Sequence, residues 1–473
     1  MHRIGFYCSS GFVARSIIDS GLLVKLKRSG SFEITVFQID NVCHDDGEVR
    51  YVCLAEPILV EWRSRGTIKR YFEYIRSFVT PPIPGLNTIV DFRRNEYLRL
   101  KRQGRWLYAF VMLALSWTLS HFKLARNILR GIEGKILGRA PKLRTYLRNS
   151  FDSVVVTAMS GFASDEWVCN AARSAGVKTI AQIFSWDNIS GLGDRGCDPD
   201  HVFVWSSYMK NELVDIHSTS HSKIKIVGVP QFFDHWRRRS RYAPDRCAPI
   251  KILFLTKSPR RFSYNVALSK MVYEALASLV VDFTFTIRIH PLTFRHKDGV
   301  FIFEDEINQF DFFRNSKSNV GLSVPKIGAD SFRFLDSKAD ADEYLNLIES
   351  SDLIFNMFST AMIESAIIGR PIVNLCFSND SFGDSTATGA EVVSLKQDLN
   401  SDARQDHIRS ILNTGAIRTL FSEDELRPFL LDFIDIDYRL KMVRNLNQIC
   451  TLHTDNIYDP VETCVRAYHE TLL

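Results

Sequence analysis

The chain has 473 residues, which is more than one hydrophobic core usually serves and is enough for two domains of about 200 residues each. Apolar residues make up 45% of the sequence and charged residues 24%, so the composition excludes a disordered or fibrous protein. The net charge of +5 is small for this length and gives no reason to expect nucleic acid as a partner. The nine cysteines are scattered without a closely spaced pair, which argues against a disulfide framework or a zinc site and favours a reducing, cytoplasmic setting.

The N-terminal half repeats the pattern of a short apolar strand, a turn and an amphipathic helix. It starts with a strand over Ile4 to Cys8 and a helix over Val13 to Lys27, without a recognisable secretory signal. The pattern returns from Asp152 with short strands that are apolar throughout, as in a parallel sheet covered by helices on both faces. The predicted strands are 153–158, 177–184, 200–205 and 223–227. Residues 1–235 are therefore predicted to form a Rossmann-like domain.

The longest apolar run extends from Trp106 to Leu119 and is shorter than the roughly 20 residues that span a bilayer. Basic residues flank it on both sides within residues 93–130, and Trp106 and Trp117 lie near its ends. Such a segment either lies in a membrane interface, anchored by tryptophan and basic side chains, or forms a buried helix of its domain. The first alternative predicts a peripheral protein on the cytoplasmic face of the inner membrane.

The second half repeats the same pattern after a segment of different composition. Residues 236–249 are basic, contain two prolines and show no periodicity, so they are predicted to be a linker. Residues 250–425 then read as a second Rossmann-like domain, and we expect the helices of 426–473 to pack back on the first. Its predicted strands include 251–255, 283–289, 353–357 and 372–376. The predicted fold class is α/β, with two doubly wound domains that face a cleft.

Polar residues follow the first two strands of this second domain, at the sheet edge where open α/β sheets bind ligands. Lys257, Ser258 and Arg260 follow the first strand. Amides and cations there suit phosphate oxygens, although the glycines of a P-loop are missing and a surface turn explains the string equally well. Arg288 and His290 end the next strand, where a histidine either donates to a phosphate or caps the strand.

A third group begins a predicted helix after the strand at 353–357. Ser359 or Thr360 is expected at its N-cap, which leaves free amides and the positive end of the helix dipole to seat a phosphate. Glu364 lies on the same face about one turn later, where its carboxylate suits ribose hydroxyls. The alternative is a capped helix with a surface glutamate.

Taken together, these strings resemble a known group of transferases. A strand followed by His-Pro, and a strand followed by Ser-Thr, a helix with Glu and then Gly-Arg-Pro, are similar to GT-B glycosyltransferases, to CDP-glycerol glycerophosphotransferases and to bacterial sialyl- and Kdo-transferases that use CMP-sugars. The likeness covers residues 251–376, and the rest of the chain only by architecture. The resemblance implies that His290, Ser359 and Thr360 contact the donor phosphate and that Glu364 holds the ribose.

A catalytic base is expected in the N-terminal half. Inverting transfer needs a carboxylate that takes the proton of the acceptor hydroxyl, and Asp187, directly after a predicted strand, is the first candidate, ahead of Asp165 and Glu166. The structural alternatives are a turn in which Asp187 bonds its own backbone and ordinary N-terminal helix charge for the other two. The residues expected at the acceptor or the cleft are Trp186, Asn188 and Gly228, the last of which either lines the cleft or only allows the turn.

The predicted function is metal-independent transfer of a sugar from a nucleotide-activated donor to a surface-glycan or lipid-linked acceptor. No cofactor is expected, because the nucleotide sugar is a substrate, and no metal site is expected, because Asp45 and Asp46 have no partner in view. Nucleic acid is not expected as a partner. Three alternatives stay open: polyol-phosphate transfer of the CDP-glycerol type, a sugar-nucleotide 2-epimerase of the same fold, and a catalytically silent GT-B-like binding protein in a polysaccharide assembly complex.

Overall fold

Two parallel β-sheets organise the chain, each in its own unit. The structure is a computed structural model that describes residues 1–39, 48–245, 247–297, 300–316, 319–326, 337–382 and 399–473. Unit 1 consists of Met1–Phe233 with Leu452–Leu473, and unit 2 consists of Asp234–Thr451. The predicted α/β class with two doubly wound sheets is confirmed.

In unit 1, the described residues form a parallel sheet in the order β3-β2-β1-β4-β5-β6-β7. The chain therefore moves outward from β1 in one direction and then restarts at β4 in the other, which places the topological switch point between β1 and β4. The side chains of β4 are buried on both faces, as the apolar sequence predicted. The strands are β1 His2–Tyr7, β2 Phe32–Gln38, β3 Arg50–Cys53, β4 Ser153–Val156, β5 Lys178–Gln182, β6 His201–Val204 and β7 Ile224–Ile226.

The helices of unit 1 include a long insertion between β3 and β4 that the sequence pattern revealed only at residues 106–119. The helix predicted from Val13 is interrupted by a π-helical turn at Arg15–Asp19 and by Gly21, whose φ is 75°. The helices are α1 Gly11–Ala14, α2 Leu22–Arg28, α3 Glu56–Ser64, α4 Gly66–Ser77, α5 Thr88–Arg102, α6 Trp106–His121, α7 Lys123–Leu137, α8 Pro141–Ser150, α9 Ala163–Ser174 and α10 Ser207–His217.

In unit 2, the described strands form a parallel sheet in the order β12-β9-β8-β13-β14-β15, with β10 and β11 as a separate antiparallel pair. The switch point lies between β8 and β13. The strands are β8 Ile250–Leu255, β9 Phe283–Arg288, β10 His296–Lys297, β11 Val300–Phe301, β12 Val320–Ser323, β13 Leu353–Asn356, β14 Ile372–Leu375 and β15 Arg418–Leu420. The remaining helices are α11 Phe233–Arg237, α12 Asn265–Ala277, α13 Glu304–Gln309, α14 Asp311–Ser316, α15 Ser337–Ser350, α16 Ala361–Ile368, α17 Leu399–Ala403, α18 Asp406–Leu412, α19 Leu426–Ile434, α20 Ile436–Thr454 and α21 Pro460–Leu472.

The segment expected to be a linker, 236–249, is packed on unit 2. The hydroxyl of Tyr242 donates to Asp352 Oδ1 at 3.1 Å, and the guanidinium of Arg239 donates to the carbonyl of Ile367 at 3.0 Å. Basic residues and prolines alone do not make a segment free, because arginine and tyrosine can tie it to carbonyls and carboxylates of unit 2.

The C-terminal helices divide between the two units. Helix α19 packs on α12 inside unit 2, whereas α21 belongs to unit 1. There the fully buried Tyr468 donates its hydroxyl to Gln182 Oε1 at 2.6 Å, and its ring contacts Phe6 and Phe203.

Candidate functional site

The candidate site of unit 2 is the edge of the sheet where β8, β9 and β13 end. These three strands are neighbours in the sheet. Because parallel strands lie about 4.8 Å apart, the turns after β9 and β13 are roughly 10 Å apart, with the turn after β8 between them. All three strings singled out in the sequence thus meet at one edge, next to the switch point.

The turn after β8 is held in place by Lys257. Its Nζ donates to the carbonyl of Met357 at 2.7 Å and pairs with Asp402 Oδ2 at 2.8 Å. The buried amide of Asn265 receives the Lys257 N–H at 2.8 Å and donates back to its carbonyl at 2.9 Å. Burial lowers the pKa of Lys257, and Asp402 opposes that shift. Lys257 therefore ties two turns together with its charge already compensated, which does not match the expected role as a free phosphate ligand.

Arg288 is also engaged within the unit. Its guanidinium donates to Asp340 Oδ1 at 2.7 Å, to Ser323 Oγ at 2.9 Å and to Glu343 Oε1 at 3.4 Å, and the side chain is buried. The expectation that Arg288 supplies charge to a phosphate is therefore wrong in this geometry, because two carboxylates already surround it.

Ser258 and Arg260 form the outer part of the first turn. The carbonyl of Ser258 accepts from the amides of Arg261 and Phe262 at 2.8 Å and 3.1 Å. Arg260 is exposed and makes no hydrogen bond or ion pair with any described residue. It is the cation of this turn that stays available to a ligand.

His290 is held as a neutral hydrogen-bond donor. Its Nδ1 accepts from the amide of Leu292 at 3.1 Å, while its own amide donates to Thr256 Oγ1 at 2.7 Å. An accepting Nδ1 carries no proton, so the neutral ring is protonated on Nε2. Burial, and next the charge of Lys257, lower the pKa of His290 to about 4. The Nε2–H has no acceptor among the residues that the structure describes.

The turn after β13 presents backbone amides. Phe358 has φ 52°, a left-handed conformation that is unusual for a bulky residue, and it turns the chain sharply into α16. The amides of Ser359 and Thr360 donate to no group in the described part of the chain. Thr360 occupies the N-cap without a side-chain bond, and Ser359 Oγ instead accepts from the amide of Ala361 at 3.3 Å. The predicted free amides at this helix start are present in this geometry.

Glu364 lies in the first turn of α16 but is not free. Its Oε2 accepts from the hydroxyl of Tyr344 at 2.7 Å, and its Oε1 lies 3.6 Å from His235 Nε2. A ribose would have to share this carboxylate with the tyrosine, so the role implied for Glu364 stays a prediction.

In unit 1, the string after β5 is partly buried. Asp187 Oδ1 accepts from the hydroxyl of Ser185, and the carbonyl of Asp187 accepts from the amide of Gly191 at 2.9 Å, which forms a local turn. Its Oδ2 has no partner among the described residues. Trp186 packs its ring on His453 with centroids 5.3 Å apart. The buried Nδ2 of Asn188 has no acceptor in the described chain, so of these groups the carboxylate oxygen is the one this loop keeps for a ligand.

Asp165 is buried at the switch point of unit 1. Its Oδ1 accepts from the amide and the hydroxyl of Thr157, directly after β4, at 2.9 Å and 3.0 Å. Burial raises the pKa of Asp165 to about 6, and the bonds from Thr157 oppose the shift. The carboxylate fixes the turn after β4, so it is a positioning residue here.

Glu166 belongs to a buried ion cluster. It pairs with Arg76, which also pairs with Glu133 at 3.0 Å and donates to the carbonyl of Asp194 at 2.9 Å. All three charged side chains are at most 1% exposed. The expectation that Glu166 acts as a catalytic base is wrong, because its carboxylate is enclosed with an arginine and reaches no solvent.

Comparison with known proteins identifies the fold. No protein-family model matches this chain, and no curated protein matches its sequence. A putative UDP-N-acetylglucosamine 2-epimerase from Listeria monocytogenes aligns with a TM-score of 0.50 over 99% of this chain and 96% of that chain, at 9% identity. S. aureus MnaA, solved with UDP, aligns with a TM-score of 0.51 over 100% and 98%, at 9% identity. This chain has the GT-B fold. The predicted resemblance is confirmed at that level, and the likeness to CDP-polyol and CMP-sugar transferases stays a prediction.

Gly228 has a structural task within the GT-B fold. Its φ is 76°, and a Cβ at this position would lie 2.9 Å from Pro460 Cβ and 3.0 Å from Ile457. Glycine is thus required both by the left-handed turn and by the close approach of the C-terminal segment. Of the two alternatives, this geometry favours the residue that allows the turn.

Two asparagines that were not predicted from the sequence support the GT-B candidate site. Asn356 accepts from Ser359 Oγ at 2.6 Å and donates to Asn374 Oδ1 at 3.1 Å, and both asparagines are buried at the ends of β13 and β14. An amide inside an otherwise apolar strand is a signal that could have found them, because such a group needs a partner. The pairing of Asp402 with Lys257 could not be predicted, because the two residues lie far apart in the sequence.

Within the described ranges, no group of three or more His, Cys, Asp or Glu side chains could hold a metal ion. Asp45 and Asp46, the acidic pair noted in the sequence, lie outside the described residues.

Proposed function

We propose that this GT-B chain binds a nucleotide sugar at the carboxyl edge of the unit 2 sheet and transfers the sugar to a glycan or lipid-linked acceptor. One observation carries the proposal. The Nε2–H of His290 and the amides of Ser359 and Thr360 have no acceptor among the described residues, while Lys257 and Arg288 are compensated. Fixed neutral donors next to an exposed arginine suit a diphosphate.

The chemistry of transfer uses these donors when charge develops. The bond between the anomeric carbon and the diphosphate oxygen breaks, and its electron pair goes to the leaving nucleotide. Preorganised N–H groups stabilise that growing charge more than water does, and the low pKa of His290 keeps it a neutral donor throughout the physiological range. The acceptor oxygen forms the new bond to the anomeric carbon, and its proton goes to a carboxylate, for which we propose Asp187. We further propose that the reaction needs no bound metal ion or cofactor.

A second function has its own support. The two solved structures reported above carry the names of a 2-epimerase and of a protein bound to UDP. Epimerisation changes the configuration of the sugar and requires no acceptor. Transfer and hydrolysis both release the free nucleotide, so the products separate the two functions.

The first experiment measures nucleotide binding. Isothermal titration with CMP, CDP, UDP and GDP is expected to give tighter binding for a nucleoside diphosphate than for CMP. His290→Asn keeps an acceptor for the Leu292 amide, and its shorter side chain places no donor at the Nε2 position, so it should weaken diphosphate binding about tenfold, the value of one hydrogen bond to a charged group. His221→Ala, at an exposed position of unit 1, is the matched control. Equal diphosphate affinity in the parent protein and in both variants would refute the proposed nucleotide site.

The second experiment follows the products. Incubation with a panel of nucleotide sugars, read by mass spectrometry and NMR, should release free nucleotide, more quickly when a glycan acceptor is present. Asp187→Asn is expected to lower this release by at least about 100-fold with unchanged nucleotide affinity. Conversion of the sugar without nucleotide release would establish the epimerase instead. Binding without any turnover would establish the silent protein, and release of CMP from a CDP-polyol would establish polyol-phosphate transfer.

A further inference from the structure

Helix α6 turns its small and polar side chains inward and most of its large apolar side chains outward. Ala109, Ser116 and Ser120 are buried together with one large apolar side chain, Leu119, whereas Trp106 and Phe110 are 67% and 62% exposed. A helix of a soluble core does the opposite, because burying large apolar groups is what stabilises its packing. The buried-helix alternative of the sequence analysis is therefore wrong for most of this segment.

Helix α7 shows the same inversion. Arg126 and Glu133 face inward, where Arg126 donates to the carbonyl of Ser120 at 2.6 Å and Glu133 pairs with Arg76. The exposed side carries a stripe with helical spacing. Together with α6 it forms what we call the apolar face: Trp106, Leu107, Phe110, Val111, Leu113, Trp117, Phe122, Leu124, Ile128 and Ile132, each 39% to 71% exposed. These contacts fix the orientation, because rotating α7 would break the Glu133–Arg76 pair and leave buried charge without a partner inside unit 1.

The surroundings of the apolar face are basic. Residues 92–140 contain only two acidic side chains: Glu133 is buried, and Glu96 is bonded to Arg99 and Tyr74. Exposed cations surround them at Arg94, Arg99, Lys101, Arg102, Arg105, Lys123, Lys135 and Arg139. The segment therefore presents a wide apolar surface with a uniformly positive border, and such patches mark interaction sites.

We propose that the apolar face docks on an anionic phospholipid bilayer, with α6 and α7 lying in its interface. Amphipathic helices with tryptophan on the apolar side and lysine or arginine at the border bind such surfaces. A second copy of the chain is a poorer occupant, because it would bring two positive borders together. Among the described residues, no single helix is long and apolar enough to cross a membrane, and α6 with α7 passes that test only as a pair bent by 106°. Two helices that meet at a bend can lie in one plane, which suits interfacial docking.

Vesicle sedimentation tests the proposal with the full chain. We expect binding to vesicles of phosphatidylcholine with 30% phosphatidylglycerol, weaker binding to phosphatidylcholine alone, and loss of binding at high salt. Trp106→Ser with Phe110→Ser should lower binding at least tenfold. The matched control is Val280→Ser with Leu431→Ser, two exposed apolar residues of unit 2, which should bind as the parent does. Circular dichroism confirms that each variant is folded.

The charged border is tested separately. Lys101→Glu, Arg102→Glu and Arg105→Glu together should abolish the preference for the anionic vesicles, whereas Arg427→Glu, Lys441→Glu and Arg444→Glu, the same change at exposed positions of unit 2, should keep it. A preference for the anionic vesicles that survives the first triple variant would overturn the electrostatic part of the proposal.

Tryptophan fluorescence locates the contact. Lipids brominated in their acyl chains should quench the fluorescence of the bound protein, and Trp106→Phe with Trp117→Phe should remove that quenching while leaving the protein on the vesicles. Absence of quenching in the parent protein would overturn the proposal. So would a lipid-free dimer that becomes monomeric in the Trp106→Ser, Phe110→Ser variant and does not sediment with either vesicle, because the face would then join two copies of the chain.

Discussion

Removing the amine of Lys257 should destabilise unit 2, because the candidate site depends on a buried ion pair. In Lys257→Met, Asp402 keeps its charge at 6% side-chain exposure, and the carbonyl of Met357 loses its donor. Breaking one partner of a buried pair costs about 3 to 5 kcal/mol. Since Lys257 is itself 12% exposed, we expect the lower end, about 3 kcal/mol, which corresponds to roughly 6 to 12 °C in the melting temperature of a unit of this size.

A double-mutant cycle measures the coupling free energy between Lys257 and Asp402. Asp402→Asn alone leaves a lysine that can release its proton, so it should cost less than Lys257→Met, and the double variant should be more stable than the sum of the two single changes by at least about 1.5 kcal/mol. Urea denaturation followed by circular dichroism measures each value. Arg260→Met, an exposed arginine in the same turn, should change stability by less than about 0.5 kcal/mol.

The pH dependence of Asp402→Asn has a defined sign. Burial already lowers the pKa of Lys257 below its ordinary 10.5, and removal of Asp402 lowers it further. The unfolded chain then binds more protons than the folded chain between the folded pKa and 10.5, so the stability of Asp402→Asn should rise with pH in that window. Additive single changes and a flat profile would refute the reasoning that the two groups form a buried pair.

Three further predictions concern single residues. Burial raises the pKa of Glu133 above its ordinary 4.5, and the charge of Arg76 opposes that shift. The stability of unit 1 should therefore fall as pH rises from 4.5 through the raised pKa, and Glu133→Gln should remove this fall, of at most about 1.4 kcal/mol per pH unit, in urea denaturation at pH 5, 7 and 9. Gly228→Ala should lower the free energy of unfolding by about 1 to 3 kcal/mol, measured by thermal unfolding. The loss should be larger than for Gly176→Ala, because Gly176 has the same left-handed φ but open space where the new Cβ would lie. Because burial lowers the pKa of His290 to about 4, the affinity for a nucleotide sugar should not increase between pH 7.5 and 5.5 in titration calorimetry. A tenfold increase that His290→Asn abolishes would show a charged imidazole.

The bounds of the strands along the sequence were predictable because each strand is specified by a short run of consecutive residues. The short apolar runs of β4, β8, β9 and β13 were predicted within about two residues of their observed ends, since a strand buried on both faces needs no other pattern. The same locality explains why His290 and Ser359 were found: each directly follows such a strand, and the parallel topology then brings them to one edge.

The roles of the charged residues were not predictable in the same way. Arg288, Glu166 and Lys257 looked available because their sequence neighbours do not compensate them. Their partners come from other elements: Arg288 pairs with Asp340, and Lys257 pairs with Asp402. An ion pair depends on distance in space, and a sequence without its fold gives no measure of that distance.

The sequence by itself determined the α/β class, the restart of the pattern near Lys251, and the strand-end residues at the edge of the second sheet, because periodicity and turn residues act over a few positions. Only the tertiary structure decided which of these residues keep a free donor and which are neutralised. It also decided which face of α6 is buried, which the sequence left open. The buried Arg126 and Glu133 of the neighbouring helix α7 require partners inside unit 1 and so turn the apolar side chains outward.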